Sequence, residues 1–549
     1  MNTRIFWLNV ILIGCFVFMT CKKDTNITKP PTLTMGTATN PIIKGDCPDL
    51  SLIRVGDAYY MVSTTMYFCP VAPIMKSYDL VNWKIVSYCT DILEDIPAFR
   101  LETADADRIG DYNRGQWASS LRYYNDRFWV LFSCLTTGKS YLFSTPSAEN
   151  VPWERIEFNR VFYDPSLFQD PATGNMYIIH GRGPITLTEM ETDLSAVKTG
   201  GLNKTIIEQG DAAGGQDAEG SQMYYLDGYY YLFLITWGEP SVHKRTVLCY
   251  RSTNITGPYE GRVVLQKGLG GRSGGVAQGG IVDTPDGDWY GVFFQDRDAV
   301  GRVPVQVPMC WSDDRWPVFG DANGDVPVQF NIKQAQNWEQ NLYVSDEFDT
   351  TTLPLAWQWN HNPDNNLWSL TERPGFLRLT TGRVARTIFH ARNTLTQRTF
   401  EPACEATVAL EPSGMKDGDI AGLAALAATA GFAGIEQEGG QKYVVMYTAD
   451  NEDNTARGMN AVQTRQAKVP FSGERVYFKL TFRFRGATGN NTETADFAYS
   501  LDGTNWRNIG TTIQIRYTLS HFTGYRFALF NYATKEAGGF VDFDYFCSL

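Results

Sequence analysis

Residues 219–233 read EGSQMYYLDGYYYLF, and this stretch decides the fold. An acidic residue and a Ser open a short run, an Asp-Gly pair marks a tight turn, and an aromatic-rich run follows. This order predicts a β-hairpin. The phrase recurs at four other places: DLSLIRVGDAYYMV from Asp49, ASSLRYYNDRFWVL from Ala118, DPSLFQDPATGNMYII from Asp164 and QGGIVDTPDGDWYGV from Gln278.

The five hairpins start between 46 and 69 residues apart, which is the length of one four-stranded propeller blade with its loops. Further short strand-like runs fit into the intervals. We therefore predict an all-β fold with a five-bladed β-propeller over residues 38–320. Because the innermost strand of each blade lines the central axis, the first residues of the five phrases should face one another.

Three of these first residues are acidic, Asp49, Asp164 and Glu219, and the other two are Ala118 and Gln278. Carboxylates brought together in one funnel repel one another, so such a set is unfavourable without a role. Hydrolysis of a glycosidic bond needs an ionised carboxylate, a protonated carboxyl and, beside the latter, a charge that raises its pKa. The alternative is that Asp and Ser only open the hairpins as turn formers.

Five segments follow one another in a recognisable order: NPIIKGDCPDLSLIRVGDAYYMVSTT, APIMKSYDLVNWKIV, YDPSLFQD, AEGSQMYYLDGYYYLF and AQGGIVDTPDGDWYGVFFQDRDAVGRVPVQVPMCW. Over residues 40–320 the chain thereby resembles glycoside hydrolase family 43, five-bladed propellers that remove arabinofuranose or xylose units with inversion. The resemblance implies that Asp49 is the general base, Asp164 the pKa modulator and Glu219 the general acid. It also implies that Arg302 contacts the substrate, the alternative being a structural surface Arg.

Four more residues are candidate sugar contacts. Trp117 precedes Ala118 and is expected either to wall the sugar subsite or to pack between blades. Tyr67 and Phe68 follow the first hairpin and are predicted to shape the sugar pocket. Gln278 stands where many family members have His, and Gln neither takes up a proton near neutral pH nor ligates a cation well. No cofactor is expected for catalysis.

The C-terminal half has a different pattern. Residues 321–344 are marked by Gly, Asp and Pro and are predicted to be a linker. Residues 345–549 contain alternating strands typical of an antiparallel sandwich, and they resemble the concanavalin-like β-sandwich appended to family 43 enzymes. That resemblance implies Glu347 and Asp542 as candidate ligands of a structural Ca²⁺, and a loop lent to the active-site rim.

The N-terminus indicates export. Arg4 precedes an apolar run that ends in FMTC, which resembles a bacterial lipobox. We predict a lipoprotein signal peptide over 1–20, lipidation at Cys21 and a polar tether over 21–37. A plain cleaved signal and an anchor helix are the alternatives. The expected location is the outer membrane, on its periplasmic face, with the cell surface as the alternative.

The net charge of −12 argues against nucleic acid as a partner, and the five scattered His show no zinc-like spacing. The resemblance implies an exo-acting, inverting α-L-arabinofuranosidase. Its expected substrates are plant cell-wall polysaccharides or oligosaccharides, namely arabinoxylan, arabinan or xyloglucan side chains. A β-D-xylosidase or a bifunctional enzyme is the alternative, and an endo-arabinanase or a non-catalytic glycan-binding lipoprotein fits the sequence less well.

Overall fold

A computed structural model describes residues 30–102, 112–149, 152–209, 217–237, 245–271, 274–451, 461–485 and 492–549. The predicted signal peptide and Cys21 lie outside the described residues. Within them the chain is all-β, as predicted, apart from three short 3₁₀ segments at Leu269–Gly271, Asp298–Val300 and Ile388–His390. No helix in this part of the chain is long and apolar enough to cross a membrane.

The first half forms the predicted propeller of five blades, each a four-stranded antiparallel sheet. The first described strand, β1 (Leu33–Thr39), lies outside the blades. The blade strands are β2 (Ser51–Val55), β3 (Ala58–Val62), β5 (Val71–Ser77) and β6 (Lys84–Thr90), with β4 (Phe68–Cys69) leaving the first blade; β7 (Gln116–Tyr124), β8 (Arg127–Cys134), β9 (Lys139–Thr145) and β10 (Glu154–Phe158); β11 (Ser166–Gln169), β12 (Met176–Gly181), β13 (Ile185–Met190) and β14 (Asn203–Ile207); β15 (Glu219–Leu226), β16 (Tyr229–Thr236), β17 (Thr246–Ser252) and β18 (Glu260–Leu265); β19 (Ala277–Asp283), β20 (Trp289–Asp296), β21 (Arg302–Trp311) and β22 (Pro317–Phe319).

The first strands of the blades, β2, β7, β11, β15 and β19, contact one another in a closed ring around the axis. Arg122, which is 5% exposed, fastens this ring from inside. Its guanidinium donates to Ser166 Oγ at 2.9 Å, to Gln222 Oε1 at 3.0 Å and to Ser51 Oγ at 3.3 Å. Ser51 and Ser166 each also accept a backbone N–H from a neighbouring blade. Ser51 and Ser166 therefore join blades, whereas the acid two residues before each of them faces the axis.

The second half is the predicted β-sandwich, built from two antiparallel sheets. One sheet has the order β32-β31-β30-β29-β37-β27-β24-β4, and the other has the order β25-β26-β38-β28-β33-β34-β35 with β36 also on β34. The strands are β24 (Gln358–Asn360), β25 (Trp368–Ser369), β26 (Leu377–Thr380), β27 (Leu395–Arg398), β28 (Ala403–Glu411), β29 (Asp419–Leu426), β30 (Thr429–Glu438), β31 (Gln441–Asp450), β32 (Val462–Phe471), β33 (Val476–Arg483), β34 (Thr494–Ser500), β35 (Arg507–Asn508), β36 (Ile513–Gln514), β37 (Arg526–Ala533) and β38 (Phe540–Ser548).

The predicted tether and linker differ from expectation, because each contributes a strand to the same two-stranded sheet. The strand β1 pairs antiparallel with β23 (Gln329–Ala335) over its whole length. The buried side chains Ala38, Phe330 and Ile332 pack into the core cluster of the first and fifth blades. The sequence did not predict β23, because its composition is that of a linker and its hydrogen-bonding partner β1 lies about 300 residues away in the chain.

The two domains share a core. One hydrophobic cluster runs from the first two blades into the sandwich, and β4 of the propeller chain pairs with β24 at the edge of a sandwich sheet. A buried ion pair, Arg297 with Glu401, joins the domains at 2.8 and 2.5 Å. Asp46 of the propeller accepts the backbone N–H of Gly524 of the sandwich at 3.0 Å. The described cysteines are free, and most are buried.

Candidate active site

The five phrases begin where the backbone leaves regular strand geometry. Asp49, Asp164 and Gln278 have φ of 54°, 46° and 52°, and Glu219 is followed by Gly220 with φ of 73°. The strands β7, β15 and β19 each have a register shift at this position. Residues with a side chain rarely adopt positive φ, and a bulge redirects the side chain next to it. These local distortions aim the first residues of the phrases into a common space.

That space is a cavity of about 510 Å³, and Asp49, Asp164 and Glu219 all line it. The predicted contacts Trp117, Gln278 and Arg302 line it as well. The three acids that the repeat predicted to face one another therefore line one pocket. All five blades contribute to its wall.

Asp49 is held by a buried ion pair. Arg302 Nη1 donates to Asp49 Oδ1 at 2.7 Å, and the two side chains are only 3% and 7% exposed. The backbone N–H of Arg302 donates to Asp46 Oδ1 at 2.7 Å, which anchors the start of its strand. The Asp49 carboxylate is thus fixed in one orientation beside a compensating charge, an arrangement suited to a general base.

Glu219 lies against donors of a different kind. The Tyr163 hydroxyl donates to Glu219 Oε2 at 3.1 Å, and Arg182 Nε lies 3.5 Å from the same oxygen. Burial raises the pKa of Glu219, while Arg182 and the Tyr163 hydrogen bond act in the opposite direction. A carboxyl whose pKa is raised by burial keeps its proton to higher pH, which is the requirement for a general acid.

Asp164 lies deeper, at 8% exposure, and accepts a long hydrogen bond of 3.4 Å from Gln278 Nε2. Burial raises the pKa of Asp164 well above its usual range, and the charges of Glu219 and then Asp49 raise it further. Because electrostatic repulsion is mutual, these buried acids together retain a proton to higher pH than separate carboxyls would.

The sandwich supplies one wall of the cavity, which confirms the expected loop at the rim. Tyr517, Leu519 and Phe522 of this domain line the cavity, and Leu519 is 68% exposed at its edge. The Phe522 ring stacks on Trp117 with centroids 6.1 Å apart and lies 4.7 Å from the Arg302 guanidinium. Trp117 therefore lines the cavity and packs against the second domain.

Tyr67 and Phe68 are not where the sequence placed them. Both are buried, at 3% and 0% exposure, and neither lines the cavity, whereas their neighbour Met66 does. Phe68 belongs to β4, whose pairing with the sandwich draws this segment away from the pocket. The Tyr67 hydroxyl lies 3.3 Å from His521 Nδ1 inside the domain interface. These two rings pack the interface and do not shape the sugar pocket.

The proposed calcium ligands do not fit a cation. Both oxygens of Asp542 accept hydrogen bonds from Arg378, at 2.8 and 2.9 Å, and Arg373 adds another at 3.0 Å. Glu347 is exposed, and its neighbour Asp346 pairs with Phe546 instead of Asp542. Among the residues that the structure describes, no group of three or more His, Cys, Asp or Glu is arranged to hold a metal ion. Guanidinium groups already compensate the charge that Ca²⁺ would neutralise.

Several lining residues were missed from the sequence. Tyr163 had a signal, because it directly precedes Asp164 in the third phrase. Arg182, Trp237 and Arg245 come from connections between blade strands, which carry no repeated pattern. Phe522 had no signal in the sequence, because more than 200 residues separate it from the propeller segments that it contacts.

Comparisons with known proteins agree with this architecture. Residues 38–317 match the model of glycosyl hydrolases family 43, and residues 345–548 match that of the beta xylosidase C-terminal concanavalin A-like domain. A beta-xylosidase of Formosa agariphila is 28% identical over 93% of this chain and 90% of its own length. A non-reducing end α-L-arabinofuranosidase of Bacteroides ovatus is 29% identical over 63% of this chain and 65% of its own length.

Among solved structures, one described as bifunctional GH43-CE, from Bacteroides eggerthii, is 45% identical and superposes with a TM-score of 0.85. The match covers 94% of this chain but only 64% of the solved protein's length. The superposition thus extends over both domains of this chain, and the solved protein is longer.

Proposed function

The chain belongs to glycosyl hydrolases family 43, and we propose that it is an exo-acting, inverting enzyme that removes terminal α-L-arabinofuranosyl or β-D-xylosyl units from plant cell-wall polysaccharides or oligosaccharides. The observation that carries this proposal is the convergence of Asp49, Asp164 and Glu219 in one cavity. A glycan-binding protein without activity would have no need of three acids there, two of which have raised pKa values.

Each acid has a distinct part in the proposed reaction. Asp49 takes a proton from water as the water oxygen bonds to the anomeric carbon. Glu219 gives its proton to the glycosidic oxygen as the bond to that carbon breaks, so the aglycone leaves as a neutral alcohol. Asp164 is the pKa modulator: Asp164 and Glu219 repel each other as carboxylates, so the pair keeps a proton, which in the proposed reaction is on Glu219 when the leaving oxygen takes it. Attack from the face opposite the leaving group inverts the anomeric configuration.

The shape of the cavity supports action at chain ends. Leu519 and Phe522 of the sandwich stand on one side of the pocket. A long glycan that runs through the site needs an open groove on both sides, which such a wall obstructs. This favours an exo-acting enzyme over an endo-arabinanase.

The choice between the two sugars is open to a direct test. L-arabinofuranose and D-xylopyranose present similar hydroxyl patterns, and the names of the relatives support both activities. The sequence pattern favours arabinofuranosidase as the main activity, with xylosidase as the second candidate.

The experiment is a panel of an aryl α-L-arabinofuranoside, an aryl β-D-xyloside and linear arabinan, with the Asp49→Asn variant as control. We expect release of the pentose from at least one aryl glycoside, slow or no shortening of arabinan from within, and a first product of inverted configuration by NMR. Retention of configuration, or internal cleavage as the main reaction, would contradict the proposal.

We also propose that the enzyme is a lipoprotein anchored through Cys21 to the outer membrane, on its periplasmic face. The support is the apolar run followed by FMTC and a polar segment. Arabinose or xylose side chains would then be removed from oligosaccharides that have already entered the periplasm.

A further inference from the structure

Among the residues that the structure describes, two side-chain donors lie near Glu219, and both approach the same oxygen. The Tyr163 hydroxyl lies 3.1 Å from Oε2, and Arg182 Nε lies 3.5 Å from it. In a neutral carboxyl the oxygen that accepts hydrogen bonds is the carbonyl oxygen, and the proton is on the other. The arrangement therefore selects Oε1 as the oxygen that carries the proton.

The two donors differ in how firmly they are held. The Arg182 side chain is 57% exposed and also lies near Asp217, at 3.6 Å. The backbone of Tyr163 is fixed, because its carbonyl accepts the N–H of Gly181 at 2.9 Å. Its ring packs edge-on against Trp117 with centroids 5.7 Å apart. Tyr163 is thus the donor with a defined position.

Trp117 is itself fixed from two sides. Its indole N–H donates to the Asn113 carbonyl at 3.1 Å, and its ring stacks on Phe522 of the sandwich. Phe522 also lies against the guanidinium of Arg302, which pairs with Asp49. Phe522 of the sandwich therefore contacts Arg302, which pairs with the proposed base. It also contacts Trp117, which packs against the tyrosine that donates to the proposed acid.

We propose that Tyr163 is a positioning residue for the reaction: its hydroxyl orients Glu219 so that Oε1 presents the proton to the leaving oxygen, and the ring contacts through Trp117 to Phe522 hold that hydroxyl in place. The inference rests on the proposed role of Glu219 as the general acid. It assigns to the sandwich a part in aligning the acid, in addition to forming a wall of the pocket.

The effect on pH dependence follows from the direction of the hydrogen bond. The Tyr163 hydroxyl stabilises the ionised form of Glu219 and so lowers its pKa. Without it the acid should stay protonated to higher pH, and the alkaline limb of kcat/KM should move upward. Within the described part of the chain, the titratable and charged groups around Glu219 are Tyr163, Asp164, Arg182, Asp217, Arg245 and Asp49.

The test uses Tyr163→Phe in the full chain, with a natural disaccharide and an activated aryl glycoside of the same pentose. We expect kcat/KM on the disaccharide to fall by roughly tenfold, the effect of losing one hydrogen bond to a charged group. The aryl glycoside should lose much less, because its phenolate leaves without a proton. The alkaline limb should move to higher pH, and Phe522→Leu should move it in the same direction.

A matched control exists within the sandwich. The Tyr447 hydroxyl lies 3.1 Å from both oxygens of Glu436, and Arg465 pairs with the same carboxylate at 2.8 Å. Tyr447→Phe removes the same type of hydrogen bond away from the cavity and should leave both kinetics and pH profile as in the wild type.

Two results would separate failure of this inference from failure of the proposed function. If the wild type is active but Tyr163→Phe loses the same factor on both substrates with an unmoved alkaline limb, Tyr163 is only structural. If the wild type releases no pentose from either substrate, the proposed function itself is wrong, and the inference falls with it.

Discussion

Asp49 and Glu219 share a cavity but need opposite protonation states, so their variants should fail differently. Asp49→Ala should lose roughly 10²- to 10⁴-fold in kcat on every substrate, because no base remains to activate water. Glu219→Ala should lose a similar factor on a natural disaccharide and much less on an activated aryl glycoside. Added azide should partly restore Asp49→Ala as a substitute nucleophile. Steady-state kinetics on both substrates measure the difference, and a Glu219→Ala variant equally inactive on both would contradict the assignment.

Asp164 should act through charge, which gives a prediction with a definite sign. Burial is the main reason that the pKa of Glu219 is raised, and Asp164 and Glu219 raise each other's pKa because both are acidic. Asp164→Asn removes the charge of Asp164, so the pKa of Glu219 should fall. Activity that needs the protonated acid is lost as pH rises through this pKa, so the alkaline limb should move to lower pH. The pH profile of kcat/KM measures it, and an upward or absent shift would contradict the modulator role.

At the scale of elements, the segment that precedes β21 depends on the sandwich. Arg297 and Glu401 form an ion pair across the domain interface with side chains 12% and 7% exposed. Glu401→Ala leaves Arg297 buried without its partner, and we expect a loss of about 3 kcal/mol in the free energy of unfolding. The thermal midpoint should fall and kcat should decrease, because Arg302 lies only five residues beyond Arg297.

The control for this change is Glu536→Ala. Glu536 is 77% exposed, and its ion pair with Lys416 is 3.3 Å long at the surface. Exposed ion pairs contribute little to the free energy of unfolding, so the thermal midpoint of Glu536→Ala should equal that of the wild type within error. Equal midpoints for Glu401→Ala and Glu536→Ala would show that the interface ion pair does not support the domain contact.

The elements that the sequence predicted are those with local or repeated patterns. The hairpins, the ring of first strands and the acids at their start follow from a phrase that occurs five times. The pairings β1 with β23 and β4 with β24 did not follow, because each strand finds its partner hundreds of residues away. Tyr67 and Phe68 were misplaced for this reason, and Asp542 was taken for a calcium ligand because its arginine partners are not neighbours in sequence.

For the whole molecule, membrane attachment should depend on one thiol. The proposed lipid anchor needs the thiol of Cys21, because diacylglycerol is transferred to a cysteine thiol, so Cys21→Ala should leave a soluble or unprocessed protein. Fractionation of cells that express either form measures the change, with Cys310→Ala as a control that retains the anchor. The proposed location on the periplasmic face gives a second expectation. Protease added to intact cells should spare the enzyme, because the outer membrane excludes it. Destruction of the enzyme by such treatment would place it on the cell surface.

The largest change tests whether the propeller can work alone. A chain that ends after Gly320 keeps all three acids but loses β23, and one that ends after Val344 keeps β23. Both lose Phe522 and the sandwich side of the shared core, and β4 loses its partner strand β24. We expect poor solubility, since large exposed apolar surface promotes association.

For any soluble fraction we expect a loss of roughly 10²-fold in kcat, because Arg302 and Trp117 lose the ring that positions them. Size-exclusion chromatography and kinetics on the aryl glycoside check both points. A monomeric truncated chain with full activity would show that the sandwich positions neither the base nor the acid.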